Sequence, residues 1–498
     1  MPPAPPVVSL RMTFDLVLFG GTGDLAWRML MPALFQAFRH GKLPKGGRIL
    51  AVSRKDFDDD AYRAWLEERF AGIADAKRPS GDEFARFASL LHHMTLDLSE
   101  PAGYDQLKTW LGASGDGGSG GADVVVMYLA TSPNLFPVVC AQLGEAGLNG
   151  DNVRVVLEKP LGHDLASALE INRVVRSVFK EEQAFRIDHY LGKPAVQNLM
   201  ALRFGNVLFE PLWRRDQVAN IQITLAESIG VGTRGDFYSH TGALRDMIQN
   251  HALQLLTMIA MEPPSRNDAD AIRDEKLKVL RSLKPFDAAS VARDVVRGQY
   301  RAGNADGKPV PGFLEEDEVP ADSQTETFVA LRTEVQNWRW ASVPFYLRTG
   351  KRLARSEAQI VINFRPTPHP IFAGANRPNK LVIKLRPEDG LELHLLAAKG
   401  AGQFESLSPV SLDLDFDQAF AANRVGAYER LLLEVIAGRL KLFVRSDEQE
   451  EAWRWVEPIL DSWARDDEGP RPYAAGTWGP AAASALVARD GHAWSEEQ

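Results

Sequence analysis

The sequence predicts two successive domains: an α/β domain with a doubly wound parallel sheet, then a larger α+β domain with a big, mostly antiparallel sheet and covering helices. Three observations carry this expectation. Over the first 190 residues, short near-continuous Val/Ile/Leu runs alternate with longer amphipathic ones, as buried parallel strands joined by helices do. Beyond residue 200, strand-length segments of strong β character follow one another across short turns such as RPEDG at 386–390, which marks an antiparallel or mixed sheet. Finally, 498 residues are more than one core serves, since domains run to about 150 residues.

The elements follow in order. MPPAPPVVSLRM has four prolines and no apolar run of signal length, so residues 1–13 read as a flexible extension. Strands are expected at Phe14–Phe19, Arg48–Ser53, Met94–Leu98, Val124–Ala130 and Val153–Glu158, with helices such as Met29–Phe38 and Ala61–Phe70 between them. These make a Rossmann-like dinucleotide-binding domain over 14–190. The uncharged stretch Val124–Gly144 holds Thr131, Ser132, Pro133, Asn134 and Pro137 in its middle, which fits a strand, a turn and a helix start rather than a membrane span. GASGDGGSGGAD, with six glycines, follows a helix and leads into a strand; a phosphate loop has the opposite order, so this run reads as a flexible surface loop. The second domain, 191–498, has strands expected at Asn220–Ser228, Val295–Arg301, Phe328–Val335, Val343–Arg348, Gln359–Phe364, Leu381–Leu385, Leu391–Leu395 and Val410–Phe416, and helices near 242–261, 425–437 and 446–465.

Composition narrows the function classes. Apolar residues at 45% and charged residues at 25% exclude a wholly disordered or fibrous chain. With 57 Lys and Arg against 66 Asp and Glu, the formal charge is 57 − 66 = −9, which excludes a nucleic-acid binder by bulk charge. The single cysteine, Cys140, fits a reducing compartment, so the chain is expected in the cytoplasm and off the membrane. No cluster of His, Cys or carboxylates argues for a metal.

Three segments carry chemistry. Strand Phe14–Phe19 runs into Gly20, Gly21, Thr22, Gly23, Asp24, Leu25 and Ala26 ahead of a helix. Glycines there let the backbone approach a pyrophosphate that the helix N-terminus favours, although a plain strand-to-helix turn uses the same residues. The second strand ends in Ser53-Arg54-Lys55 where an NAD site would place a carboxylate; Arg54 and Ser53 suit a 2′-phosphate, against a reading as solvated loop charges. Lys159, in Glu158-Lys159-Pro160, stands at the carboxyl end of the fifth strand and points to the crevice, or is an ordinary loop lysine. In RIDHYLGK, His189 and Lys193 share a face if the segment is helical, and Lys with His and Tyr suits a phosphate dianion. His251 falls on the apolar stripe Leu244, Met247, Ile248, Leu255, Met258 and Ile259, which by itself reads as a core histidine.

GGTGDLA, EKP, RIDHYLGK and GALRDMIQNHALQ, in this order and at these distances, resemble the glucose-6-phosphate 1-dehydrogenase family from about Phe14 to about Asp461. The resemblance implies oxidation of β-D-glucose 6-phosphate to 6-phospho-D-glucono-1,5-lactone with NADP+ taking the hydride, the first oxidative step of the pentose phosphate pathway; Arg54 favours NADP and leaves NAD open as a secondary cosubstrate, and no metal is expected. It implies His251 as general base, oriented by Asp188. Substrate would be bound by Lys159, His189, Tyr190, Lys193, Glu227, Asp246 and Lys351, and NADP by Gly20 to Ala26, Arg54, Asp97 and Lys159. It also implies a homodimer or homotetramer. The chain departs from the family pattern at Trp27, Pro194, Ser239 and Ser356, the last beside Arg355; Pro194 restricts Lys193 and places the helix start at Lys193 or Pro194.

Two readings compete. Neutral-sugar dehydrogenases of the glucose–fructose oxidoreductase group also pair an EKP lysine with an open sheet, but the chain lacks GxGxxG and carries RIDHYLGK. A non-catalytic NADP sensor predicts erosion of the base and its partner, yet Asp188 and His251 are both in place. Because substrate and cofactor are anions and the chain is acidic, Arg54, Lys159, Lys193 and Lys351 must supply a locally positive crevice.

Overall fold

The structure is a computed structural model that describes residues 12–72, 79–112, 121–305, 307–372, 377–399, 403–419 and 425–497. The chain divides into two compact units. The first takes in Met1–Gly192, Asp268–Arg273 and Val425–Asp447; the second takes in Lys193–Asn267, Asp274–Arg424 and Glu448–Gln498.

The first unit is built on a seven-stranded sheet in the order Phe443–Val444, Ala184–Ile187, Val153–Leu157, Val124–Leu129, Phe14–Phe19, Arg48–Ser53, Leu91–Thr95. All neighbours are parallel except the two-residue edge strand Phe443–Val444. FDLVLF has no polar-facing side because both faces are covered: Leu16 and Leu18 enter one apolar cluster, Val17 and Phe19 the other. The strand order reverses between Phe14–Phe19 and Val124–Leu129, which opens a crevice at their carboxyl ends.

The second unit holds a nine-stranded sheet in the order Gln403–Asp415, Gly390–Lys399, Lys380–Arg386, Glu357–Phe364, Val218–Ala226, Pro344–Gly350, Phe328–Glu334, Val295–Arg301, Arg471–Ala474. Only the Val218–Ala226/Pro344–Gly350 and Val295–Arg301/Arg471–Ala474 pairs are parallel. The large, mostly antiparallel sheet expected from sequence is therefore present, with strand limits within a few residues of the expected ones except at Gln403–Asp415, which starts seven residues before Val410. No helix among the described residues is long and apolar enough to cross a membrane; the uncharged stretch at 124–144 is a strand, a short 3₁₀ turn and the helix Phe136–Glu145.

Some expectations need correction. The strand expected at Met94–Leu98 is Leu91–Thr95, because His92 and His93 occupy positions that alternation scored as polar. The segment 189–192 is a turn and the helix begins at Pro194, so His189 and Lys193 share no helical face. Lys193 sits just outside that helix in extended conformation, φ −68° and ψ 138°, as a residue before proline prefers. The core of the glycine-rich run, 113–120, lies outside the described residues.

Candidate active site

In the first unit, the glycine turn at the switch point is built for close backbone approach. Gly20 has φ +87°, and a Cβ there would stand 2.5 Å from the Ala130 carbonyl oxygen, so no other residue fits. A Cβ on Gly21 would stand 2.5 Å from the Ala51 Cβ. Gly20 and Gly21 both donate to the Val52 carbonyl, which folds the turn over the end of the second strand. The helix behind it opens as a π-turn, Ala26–Leu30, and continues as Met31–Arg39, so its N-terminus faces the turn. Arg54 is exposed just past Ser53. Asp97, two residues past its strand, accepts from Ser99 N at 3.0 Å and Ser99 Oγ at 2.6 Å. Those bonds, aided by the Arg54 charge, hold its carboxyl below the usual range. The glycine turn, the helix behind it and exposed Arg54 thus stand at the carboxyl ends of neighbouring parallel strands. Trp27 donates to Asp24 at 3.2 Å, and Arg28 lies over its ring at 4.8 Å, so the residues flanking the loop engage one another.

Lys159 is half-buried beside Glu158, which the sequence argument gave no role. Glu158 is buried and accepts from Tyr128 Oη at 2.7 Å and from Lys159 N at 3.3 Å. Burial pushes its carboxyl up. Tyr428, also within bonding reach of Glu158, lies parallel to the His189 ring with centroids 6.1 Å apart. Buried Asp188 accepts the Tyr190 N–H at 2.9 Å, and its carbonyl accepts from Leu191 N at 3.0 Å. The tight turn packs so closely on the helix Ala427–Ala437 that a Cβ on Gly192 would stand 2.9 Å from the Ala427 carbonyl. Asp188, His189 and Tyr190 are therefore held on one rigid turn.

In the second unit, Lys193 Nζ donates to the Leu385 carbonyl at 3.1 Å, and burial lowers its pKa, opposed by Asp389 and aided by Arg386. Glu227, one residue past Val218–Ala226, and buried Lys351, one residue past Pro344–Gly350, form an ion pair at 2.6 Å. The two residues expected to bind sugar hydroxyls thus hold each other, and Lys351 Nζ also lies 4.9 Å from the Tyr238 ring centroid. Ser356 replaces a cation with a tie: its Oγ meets Ser228 N at 3.0 Å and Ser228 Oγ at 2.9 Å. Arg355 instead pairs with Glu357 at 2.5 Å.

Asp246 and His251 lie on Leu244–Ala252, a π-helical stretch that runs into the α-helix Leu253–Ala260. Residues five apart are bonded turn to turn in such a helix, and π segments gather at functional sites. Both ends are fixed by buried groups missed from sequence. At the N-terminus, Glu326 accepts from Leu244 N at 3.0 Å, and Gly242, φ +72°, leaves room where a Cβ would stand 2.4 Å from the same carboxylate. At the C-terminus, Arg203 donates to the carbonyls of Met258 (3.0 Å) and Met261 (2.8 Å), Trp213 to Ile259 (2.8 Å) and Trp340 to Ala260 (2.8 Å). These carbonyls lack partners within an α-helix, and the Arg203 guanidinium matches the helix dipole at that end.

A parallel-sheet crevice with a glycine turn, joined in one chain to a separate α+β unit that carries a buried histidine on a fixed helix, defines a nicotinamide-dependent oxidoreductase. Comparison with known proteins narrows the class. Family models described as glucose-6-phosphate dehydrogenase, NAD binding domain, and glucose-6-phosphate dehydrogenase, C-terminal domain, match residues 17–198 and 200–495. The chain is 48% identical over 483 residues to glucose-6-phosphate 1-dehydrogenase of Mycolicibacterium smegmatis, covering 96% of this chain and 97% of that one. It is 46% identical over 486 residues to the Rhizobium meliloti enzyme, covering 97% and 98%. Among solved structures, it superposes on a glucose-6-phosphate dehydrogenase in complex with glucose 6-phosphate with TM-score 0.88 and 30% identity, covering 97% and 99%. On the Mycobacterium avium enzyme the TM-score is 0.81 at 37% identity, covering 97% and 98%. The chain belongs to the glucose-6-phosphate dehydrogenase family, whose cofactor is NADP.

Proposed function

We propose that the chain oxidises β-D-glucose 6-phosphate at C1 to 6-phospho-D-glucono-1,5-lactone, with 14–190 binding NADP and 191–498 binding the sugar phosphate. The observation that carries this reading is His251: it lies on a helix fixed at both ends, inside RDMIQNH, a motif that family similarity and burial both single out. NADP+, when bound, supplies the acceptor for the hydride leaving C1. His251 takes the C1 hydroxyl proton, for which a neutral imidazole has a suitable pKa range. Asp188 serves as its carboxylate partner, setting the tautomer and stabilising the imidazolium. Lys193, His189 and Tyr190 hold the substrate phosphate; Asp246, Glu227, Lys351 and Lys159 hold the sugar; Gly20 to Ala26, Arg54 and Asp97 line the dinucleotide cradle.

Activity is tested by following NADPH formation with glucose 6-phosphate and with glucose, each against NADP+ and NAD+. Turnover on glucose 6-phosphate alone is expected, and equal turnover on glucose would sink the phosphate assignment. His251→Asn is expected to lower kcat by a factor on the order of 10²–10⁴ with the substrate KM nearly unchanged; near-normal turnover would remove the base. A homodimer or homotetramer is part of the same reading. It is supported by Val410, Leu412 and Leu414, exposed at 42%, 59% and 48% on alternate positions of the edge strand Gln403–Asp415, and light scattering after size exclusion reads the state directly. A cytoplasmic location is supported by the free, buried thiol of Cys140, which burial pushes up to about 12.

A further inference from the structure

The second strand delivers more than Arg54 to the proposed 2′ position. Ser53, 8% exposed, places its Oγ 2.9 Å from Nε2 of His93 on the neighbouring strand. The other ring nitrogen, Nδ1, lies 3.0 Å from the Phe57 carbonyl oxygen. A carbonyl only accepts, so Nδ1 carries a hydrogen. In the neutral ring, Nε2 is then bare and the Ser53 hydroxyl donates to it. Ser53 Oγ also accepts from Lys55 N at 3.2 Å. In this state the serine turns a lone pair outward. When the ring is protonated, Nε2–H donates to Ser53 Oγ, and the serine hydrogen is released to donate outward.

The ring is locked in place. Tyr62 lies nearly parallel to it at 5.3 Å, Phe57 meets it edge-on at 5.5 Å, and its backbone N–H donates to Asp59 at 2.8 Å. Tyr62 Oη in turn donates to the Gly21 carbonyl at 3.0 Å, which ties the same cluster to the glycine turn. The charged and titratable groups around the ring are Asp59, Tyr62 and Arg63 on the helix Asp59–Phe70, Lys55 and Asp56 in the preceding loop, and His92 beside it on its own strand. Asp59 and Asp56 favour the protonated ring; burial opposes it more strongly and lowers the pKa below the usual histidine value.

We infer that His93 is a specificity-positioning residue: its protonation reverses the Ser53 hydroxyl, and so sets how strongly the site prefers a 2′-phosphate to a 2′-hydroxyl on the dinucleotide. A lone pair facing outward suits a ribose hydroxyl donor. An outward O–H with a cationic imidazolium behind it suits a phosphate. The preference for NADP over NAD therefore rises as pH falls through the His93 pKa. This rests on the reading that Arg54 marks the 2′ position.

Two measurements on the intact 498-residue chain test it. Calorimetric Kd values for NADP+ and NAD+ are taken from pH 5.5 to 8.0 for the parent, His93→Gln, Ser53→Ala and Arg54→Ala. The 2′-phosphate ionises in this range in every variant, so only differences between variants count. The Kd ratio of the parent is expected to change with pH by about fivefold more than in His93→Gln or Ser53→Ala; superimposable profiles overturn the inference. Second, histidine-selective ¹⁵N spectra are expected to show the Nδ1–H tautomer at pH 8, and NADP+ but not NAD+ to raise the His93 pKa, since the coupling is reciprocal. An equal response to both dinucleotides overturns it. If Arg54→Ala leaves the NADP+ Kd unchanged, the underlying 2′ reading fails. If it weakens NADP+ tenfold while the His93 profiles coincide, only the His93 inference fails.

Discussion

Lys193 is expected to hold a phosphate dianion with an ammonium that burial makes easier to deprotonate. The sign follows from the chemistry: the protonated amine binds, and a depressed pKa brings its loss to lower pH than for an exposed lysine. The KM for glucose 6-phosphate is expected to climb at alkaline pH, and Lys193→Arg is expected to push that climb upward because guanidinium stays charged. An unchanged alkaline limb in the arginine variant would count against the assignment. The Glu227–Lys351 pair poses a second residue-scale question, since the two groups expected to bind the sugar already hold each other. Removing either alone should cost more in kcat/KM than its own substrate contact, and the double variant Glu227→Ala/Lys351→Ala should cost less than the sum; a strictly additive cycle would show that the pair is uncoupled. Motif context singles out both residues in the sequence as candidates. Their pairing was not legible there, because the partners lie on different strands and only the parallel pairing of Val218–Ala226 with Pro344–Gly350 brings them together.

At the scale of elements, the helix around His251 shows what patterning reads and what it passes over. Its apolar stripe was legible, because Met247, Ile248 and Leu255 recur at helical spacing and are buried. Its π-winding and its caps were not, because Glu326, Arg203, Trp213 and Trp340 are scattered over other elements and carry no local signal. Trp340→Phe keeps most of the buried ring but strands the Ala260 carbonyl, so it is expected to cost about 1–3 kcal/mol by denaturant unfolding. A midpoint identical to the parent's would show that the bond adds nothing. Glu326 gives a pH signature. Burial raises its folded pKa above the unfolded value, so its contribution to stability is fully present below the unfolded pKa and is lost as pH rises through the folded one. Glu326→Gln, which keeps an acceptor for Leu244 N, is expected to flatten that fall in thermal midpoint. The strands most easily overlooked follow the same logic. Ala184–Ile187 carries Arg186, fully buried yet paired with Glu181 at 2.7 Å and bonded to Asn172 at 3.1 Å, so an interior position reads as surface.

For the whole molecule, a chain of net charge −9 must attract two phosphate-bearing ligands. The cations expected to do so are local, and one of them, Lys351, is already paired with Glu227. Arg54, Lys159 and Lys193 are expected to carry the rest, and rising ionic strength is expected to weaken substrate and NADP binding together. Michaelis constants indifferent to salt would refute local steering. The two-domain order was legible because the first five parallel strands lie within the first 160 residues, and four of them, all but Leu91–Thr95, carry a strong apolar run. The return of Val425–Asp447 to the first unit was not, since a two-residue strand such as Phe443–Val444 has no periodicity to detect.

That return has a consequence for biosynthesis. Leu431, Leu432, Val435, Ile436 and Phe443 fill the same core as Leu16, Leu34 and Phe185, and the Phe443 ring meets Phe185 at 4.9 Å. A ribosome that has released residue 190 must translate some 250 more before those side chains emerge, a wait on the order of 10–50 s at usual elongation rates. During that interval the dinucleotide unit has an open sheet edge and an uncovered apolar face, the surfaces that chaperones bind. Nascent chains arrested near residue 300 should therefore be chaperone-bound and protease-sensitive in the first 190 residues, whereas chains arrested near 490 should be protected there.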